Sequence, residues 1–165
     1  MSRIKEIDKG SEGATGSVSE DIIRGAKKIS EKTICLCGSI KFAPEMKAWA
    51  KTLAEKGKVG ILPIGARRLE EETAVSEDYD KAKLKREFDA VKAHYDEISR
   101  AEAILVCNYD KNGVKNYIGA NTFLEMGFAH CLGKKIYLVN PLPDMPYIND
   151  ELYAFDVEVV GETES

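Results

Sequence analysis

The stretch Asn116 to Pro141, NYIGANTFLEMGFAHCLGKKIYLVNP, decides how the rest of the chain is read. It opens on a turn containing Gly119, passes a helix cap at Asn121 or Thr122, and runs on through Phe123, Leu124, Met126, Phe128, Ala129 and Leu132 to a stop at Gly133. Ile136 to Val139 then reads as a strand. A helix apolar on almost every side is expected to be packed on every side, which makes its one acidic residue, Glu125, an anomaly. Two readings of that carboxylate stand side by side. Thr122 and Glu125 have the spacing of a capping box, in which the two residues satisfy each other's free backbone donors. Alternatively, a carboxylate in the first turn of a buried helix, beneath a Gly/Asn-rich loop at the carboxyl edge of a parallel sheet, lies where open α/β folds place ligands. A capping carboxylate can still show one oxygen to a ligand, so the readings are compatible.

Outward from this unit, the chain alternates strands with helices. Ala101 to Cys107 (AEAILVC) is a strand that runs into the turn-rich Asn108-Tyr109-Asp110-Lys111-Asn112-Gly113. Before it, Leu84, Phe88, Val91, Tyr95 and Ile98 mark one stripe of a helix. Thr33 to Cys37 (TICLC) is a buried first strand ending at Gly38-Ser39, and Phe42, Met46, Trp49, Ala50 and Leu53 follow at helical spacing up to Gly57. Val59 to Ile64 is the second strand, with Pro63 near its end, and the crossover is expected to be right-handed. The strongly charged Arg67 to Glu87 reads as a solvated loop or short helix and as a candidate lid. After Pro141, Pro143 and Pro146 comes a short helix near Asn149 to Ala154 and a fifth strand from Asp156 to Val160. Residues 1–18 are polar and aperiodic, a mobile tail. Ser19 caps a short helix from about Glu20 to Ile29, with Ile22, Ile23 and Ala26 on one side. The expected organisation is therefore a tail and accessory helix over residues 1–30 and a single α/β domain over 31–165. That domain is three-layered and flavodoxin-like (Rossmannoid), around a mainly parallel five-stranded sheet of order 2-1-3-4-5.

Composition narrows the function. With 165 residues, 44% hydrophobic and 32% charged, this is an ordinary globular chain. Its formal net charge of -4 argues against nucleic acid as the main partner. No apolar run approaches a membrane span and no signal-peptide core opens the chain, so the expected location is the cytoplasm. Cys35 and Cys37 alternate along a strand, Cys107 closes another and Cys131 sits in the apolar helix, places where a thiol behaves as a small apolar side chain. No CxxC-type metal spacing occurs.

In a sheet of this order, the loops after strands one and three flank the topological switch point. Here they hold Gly38-Ser39-Ile40-Lys41 and Asn108 through Thr122. The Gly38-Ser39 turn can bring backbone N–H groups and a hydroxyl toward a phosphate or ribose, with Lys41 adding charge. It also reads as a plain strand-to-helix turn, being neither a P-loop nor a GxGxxG fingerprint. Tyr109, Tyr117 and Phe123 cluster nearby, able to stack on a nucleobase or simply to pack.

Cys37-Gly38-Ser39-Ile40-Lys41, the AEAILVC strand, and Asn121-Thr-Phe-Leu-Glu125-Met-Gly127-Phe-Ala129 followed by Gly133-Lys-Lys-Ile resemble the nucleoside 2-deoxyribosyltransferase superfamily, which includes the 2'-deoxynucleoside 5'-phosphate N-hydrolases. The resemblance covers roughly residues 33–141. It implies an enzyme that cleaves or transfers an N-glycosidic bond of a nucleoside or nucleoside 5'-monophosphate, without metal or organic cofactor, as a homodimer or larger oligomer. Glu125 falls on the nucleophile. Cys37, Gly38, Ser39 and Lys41, with Asn108, Tyr117, Gly119, Asn121 and Thr122, fall on the substrate-binding loops. The chemistry fits a carboxylate, because cleavage develops positive charge on the sugar that it can stabilise and trap as a glycosyl ester. The departing base also needs a proton. The aspartate that the family carries before the third strand is replaced by His94, with Asp96 as the nearby alternative, and the aspartate usual just before the nucleophile loop is missing. His130 reads as a hydrogen-bonded core residue. Two rivals share this frame: a nucleotide-binding sensor that has lost turnover, and an enzyme cleaving the nicotinamide bond of NAD. The enzymatic reading requires Glu125 to be reachable from a cleft with one oxygen to spare.

Overall fold

Strand β1 (Thr33–Cys37) is buried at four of its five positions. In a parallel sheet covered on both faces, neither side of a central strand meets water. It pairs with β2 (Val59–Ile61) on one side and β3 (Ala103–Val106) on the other; β4 (Lys135–Leu138) and β5 (Val157–Val159) extend the sheet. All four pairings are parallel and the order is β2-β1-β3-β4-β5, the flavodoxin-like order expected. The computed structural model describes residues 20–71 and 89–161. The expected tail, the Leu84 and Phe88 end of the helical stripe, and most of the charged segment lie outside the described residues.

The helices are α1 (residues 20–26), α2 (Ala43–Glu55), α3 (Ile64–Glu71), α4 (Ala90–Arg100), α5 (Ala120–Cys131) and α6 (Asn149–Ala154), with a 3-10 turn at Ile40–Phe42. Side chains alternate across the strands, which sorts the core into two halves. Ile34, Leu36, Leu105 and Tyr137 meet Ile22 and Ala26 of α1 and Met46, Trp49 and Leu53 of α2 on the first face. Cys35, Cys37, Ile104, Val106 and Leu138 meet Ile98 of α4, Met126 and Ala129 of α5 and Leu152 of α6 on the second. The same alternation that buries Ile34 and Leu36 under α2 therefore turns both β1 thiols toward α4 and α5. Trp49, wholly inside the first half, donates its indole N–H to the Tyr109 hydroxyl at 3.0 Å, so its burial leaves no orphan donor.

Both long helices flanking the site loops end as glycine stops predict. Gly57 (φ 76°) and Gly133 (φ 69°) take left-handed conformations, letting Lys58 N–H reach Leu53 O and Lys134 N–H reach Ala129 O. Other boundaries differ from expectation. β2 stops at Ile61, because Pro63 has no N–H for the ladder; Pro63 instead offers its carbonyl to Arg67 N–H at 3.0 Å, and α3 begins at Ile64. The helix expected to 29 is helical only over 20–26, and Ile23 is exposed although Ile22 and Ala26 are buried. α5 is not packed on every side: Leu124 is 43% exposed, and Asn121, His130 and Cys131 face outward. Apolar character permits burial without enforcing it.

Candidate active site around Glu125

Gly119 is the N-cap of α5 and makes no side-chain cap bond, which places Glu125 in the second turn, not the first. The capping-box reading fails for the same reason. Thr122 lies inside the helix, and the Glu125 carboxylate turns to other side chains. Its Oε1 accepts from His94 Nδ1 at 2.8 Å and from Asn121 Nδ2, one turn earlier, at 3.1 Å. Its Oε2 is buried and has no hydrogen-bond partner among the described residues. An orphaned carboxylate oxygen in a protein interior is costly and calls for a reason.

His94, on the inner side of α4, bridges the layers. Its Nε2 lies 3.3 Å from Cys35 Sγ on β1 while its Nδ1 faces Glu125. Burial alone would push the imidazole down, but the hydrogen bonds and negative charge of Cys35 and Glu125 outweigh it and lift His94 to about 10. Cys35 moves the other way, to about 6: the hydrogen bond with Cys37 lowers it first, burial opposes, and His94 adds to the lowering. Burial, with the Cys35 and Glu125 charges, pushes Cys37 well up. The outcome is a buried line of thiol, imidazole and carboxylate in which the shifts of Cys35 and His94 both favour the charged form. Thiol, imidazole, acid is also the order of a thiol-hydrolase triad. Cys35, however, sits mid-strand with 0% exposure, so no substrate carbonyl reaches it.

The second loop is built as a tight hairpin. Lys111 and Val114 exchange backbone hydrogen bonds around Asn112 and Gly113, both at positive φ, which a two-residue turn of this kind requires. The hairpin carries Lys111 back over the first loop, where its Nζ donates to Ser39 Oγ at 2.9 Å and lies 5.1 Å from the Tyr117 ring centre. The Ser39 hydroxyl also accepts from Lys41 N–H at 3.4 Å. Ser39, Lys41, Lys111 and Tyr117 thus share one edge, and Lys111 is the member that sequence reasoning missed. Its signal was the Asn112-Gly113 turn, which folds the loop back on itself.

The remaining expected residues divide clearly. Asp96 is exposed, on a different side of α4 from His94, and His94 is the residue that meets Glu125. Asn108 is spent on the backbone: its Nδ2 donates to the carbonyls of Asn140 and Pro141, and its Oδ1 accepts from Asn140 N–H. Thr122 is buried within α5, and Gly119 lies under the Tyr117 ring, where a Cβ would meet ring atoms at 3.1 Å. Tyr109 packs edge-on to Phe42 and Phe123 tilts against Phe155, so both aromatics are packing. His130, expected in the core, is exposed and stacks obliquely on Phe155, and Cys131 is likewise exposed.

Access is the unmet half of the requirement set by the sequence. Glu125 has an oxygen to spare but is only 5% exposed. A cleft of about 130 Å³ at the carboxyl edge is lined by Asp21, Ile22, Trp49, Tyr109, Val139, Asn140 and Gly161, on the first face of the sheet, away from Glu125. Among the described residues no helix is long and apolar enough to cross a membrane. The chain matches no family model and no curated protein.

Proposed function

We propose that this protein cleaves or transfers the N-glycosidic bond of a nucleoside or nucleoside 5'-monophosphate, with Glu125 as nucleophile. The observation that carries the reading is the division of labour on one carboxylate. Oε1 is held by His94 and Asn121, so the side chain is oriented, while Oε2 has no partner among the described residues. Attack by Oε2 on the anomeric carbon forms a glycosyl ester as the base departs; water or a second base resolves it. His94, with one proton to spare between two anionic neighbours, serves the proton transfers. The phosphate or sugar end lies toward Ser39, Lys41 and Lys111, with Tyr117 alongside. A pentose reaches Oε2 only if the side chains over Glu125 move, on ligand binding or on pairing with a second copy of the chain.

The test is a panel of nucleosides, monophosphates and NAD, with and without an acceptor base, read as free base by chromatography. Glu125→Gln should abolish release while ligand-induced stabilisation persists, and Lys111→Ala should weaken monophosphates more than free nucleosides. The deep burial of Glu125 favours one alternative, a nucleotide sensor without turnover. Ligands that raise the melting temperature of the wild type while no base appears from any substrate decide for the sensor.

A further inference from the structure

His94 stands between two sets of metal-ligating donors. Cys37, His94 and Glu125 offer a thiol sulfur, a ring nitrogen and a carboxylate oxygen all within 4.8 Å of one another, and Cys35, His94 and Glu97 form a second such set. Each set contains a buried carboxylate oxygen, Oε2 in both cases, without a hydrogen-bond partner among the described residues. The sets are not equal. Glu97 already holds Arg67 through its other oxygen at 2.5 Å, and a cation there would compete with a guanidinium. Among the described residues no Arg or Lys pairs with the first set, and its Glu125 side chain is 6% exposed.

We propose that Cys37, His94 and Glu125 bind a thiophilic divalent cation of the zinc class, with Glu125 Oε2 as the carboxylate ligand. One thiolate, one imidazole and one carboxylate suit zinc or cobalt, whereas magnesium and calcium require oxygen donors. Tetrahedral bonds of about 2.0–2.3 Å place ligand atoms roughly 3.3–3.7 Å apart, so donors already within 4.8 Å need shifts of about 1 Å. Charge also closes: a dication with one thiolate and one carboxylate is neutral, which a buried site tolerates far better than an unpaired anion. Binding releases the Cys37 proton and any proton on the ligating ring nitrogen to solvent, and leaves a fourth position for water. The cation takes the oxygen that the glycosidic reading needs, so metal and glycosyl ester exclude each other.

The experiment titrates chelator-treated full-length Cys131→Ser protein, which lacks the exposed thiol, with cobalt(II). Expected are one equivalent bound, a thiolate-to-cobalt charge-transfer band with tetrahedral visible bands, and displacement by zinc but not magnesium. Cys37→Ser should abolish the charge-transfer band, and Glu125→Gln should weaken binding by about tenfold or more. Because Cys37→Ser could unfold the chain, zinc-edge X-ray absorption on the Cys131→Ser protein supplies a second measurement, expected to show one sulfur ligand among nitrogen or oxygen donors. Absence of the charge-transfer band, none or two sulfurs at the edge, or a band that survives in folded Cys37→Ser but is lost in Cys35→Ser, overturns the assignment. None of these readouts depends on turnover. Base release assayed in chelator fails or succeeds separately.

Discussion

The contact between His94 Nδ1 and Glu125 Oε1 sets up a double-mutant cycle whose outcome follows from burial. Both side chains are over nine-tenths covered and 2.8 Å apart, so neither partner, left alone, is rescued by water. Removing one member of such a pair costs about 3–5 kcal/mol, most of it from the stranded partner. His94→Gln leaves Glu125 with Asn121 as its remaining donor; Glu125→Gln leaves the imidazolium facing a neutral amide whose N–H₂ occupies the orphan Oε2 position. Each single change should therefore destabilise by about 3 kcal/mol, within the roughly 5–15 kcal/mol that a domain of this kind has. At a urea m-value of about 2 kcal/mol/M, that moves the midpoint down by about 1.5 M. The double variant strands Cys35 only as far as His94→Gln already does, so the costs should still fall short of their sum by about 2 kcal/mol, within the usual range for contacting residues. Urea unfolding of the four proteins in chelator, at one pH near neutrality, measures it. Costs that add to within about 0.5 kcal/mol would mean the two groups do not sense each other, and the oriented-carboxylate argument would fall with them.

Two further outcomes follow. His94, raised from 6.5 to about 10, contributes stability fully present below about pH 6.5 and lost as pH rises through about 10; Cys35, lowered from 9.0 to about 6, contributes stability present above about pH 9 and lost as pH falls through about 6. The trends oppose between about 6.5 and 9, so metal-free wild type should vary little there and lose stability from about 9 to 10, a loss that His94→Gln lacks; pH-series urea unfolding showing parallel curves for the two proteins at that end rejects the raised imidazole. Separately, a Cβ at Gly161 would run into the Val139 carbonyl oxygen, just past the end of β5. Gly161→Ala should therefore cost about 1–3 kcal/mol, and a melting temperature within a degree of wild type would show that the strand end yields freely.

The hydrophobic rhythm was enough to place the layers, since β1 and α6 lie where their patterns put them and the alternation of strands with helices leads to the observed all-parallel order. The site was legible only in part. Glu125 stood out because a charge in an apolar helix needs a partner, but the short Thr-x-x-Glu pattern pointed to a cap that Gly119 already supplies by position. The partners come from β1 and α4, separated from Glu125 by long crossovers, and no local spacing encodes them. Cys35 and Cys37 show the limit most sharply. Reading them as small buried side chains was correct, and it hid the fact that strand alternation turns both toward His94. The outward turn of His130 and Leu124 was equally invisible, because nothing in an apolar residue announces which face the sheet leaves open.

The glycosidic and metal proposals meet at Glu125 Oε2, and what surrounds that atom decides between them. A nucleophile needs a path from solvent; a ligand needs only neighbours. As described, the atom has neighbours, Cys37 and His94, and no path, which makes the closed arrangement ready for a dication. Asn121 is the residue that links the two possibilities. It is exposed, yet its amide reaches the buried carboxylate through Oε1, so it joins that carboxylate to the surface. A ligand that draws the Asn121 side chain outward would remove one of the two bonds on Oε1 and open Glu125 in the same motion.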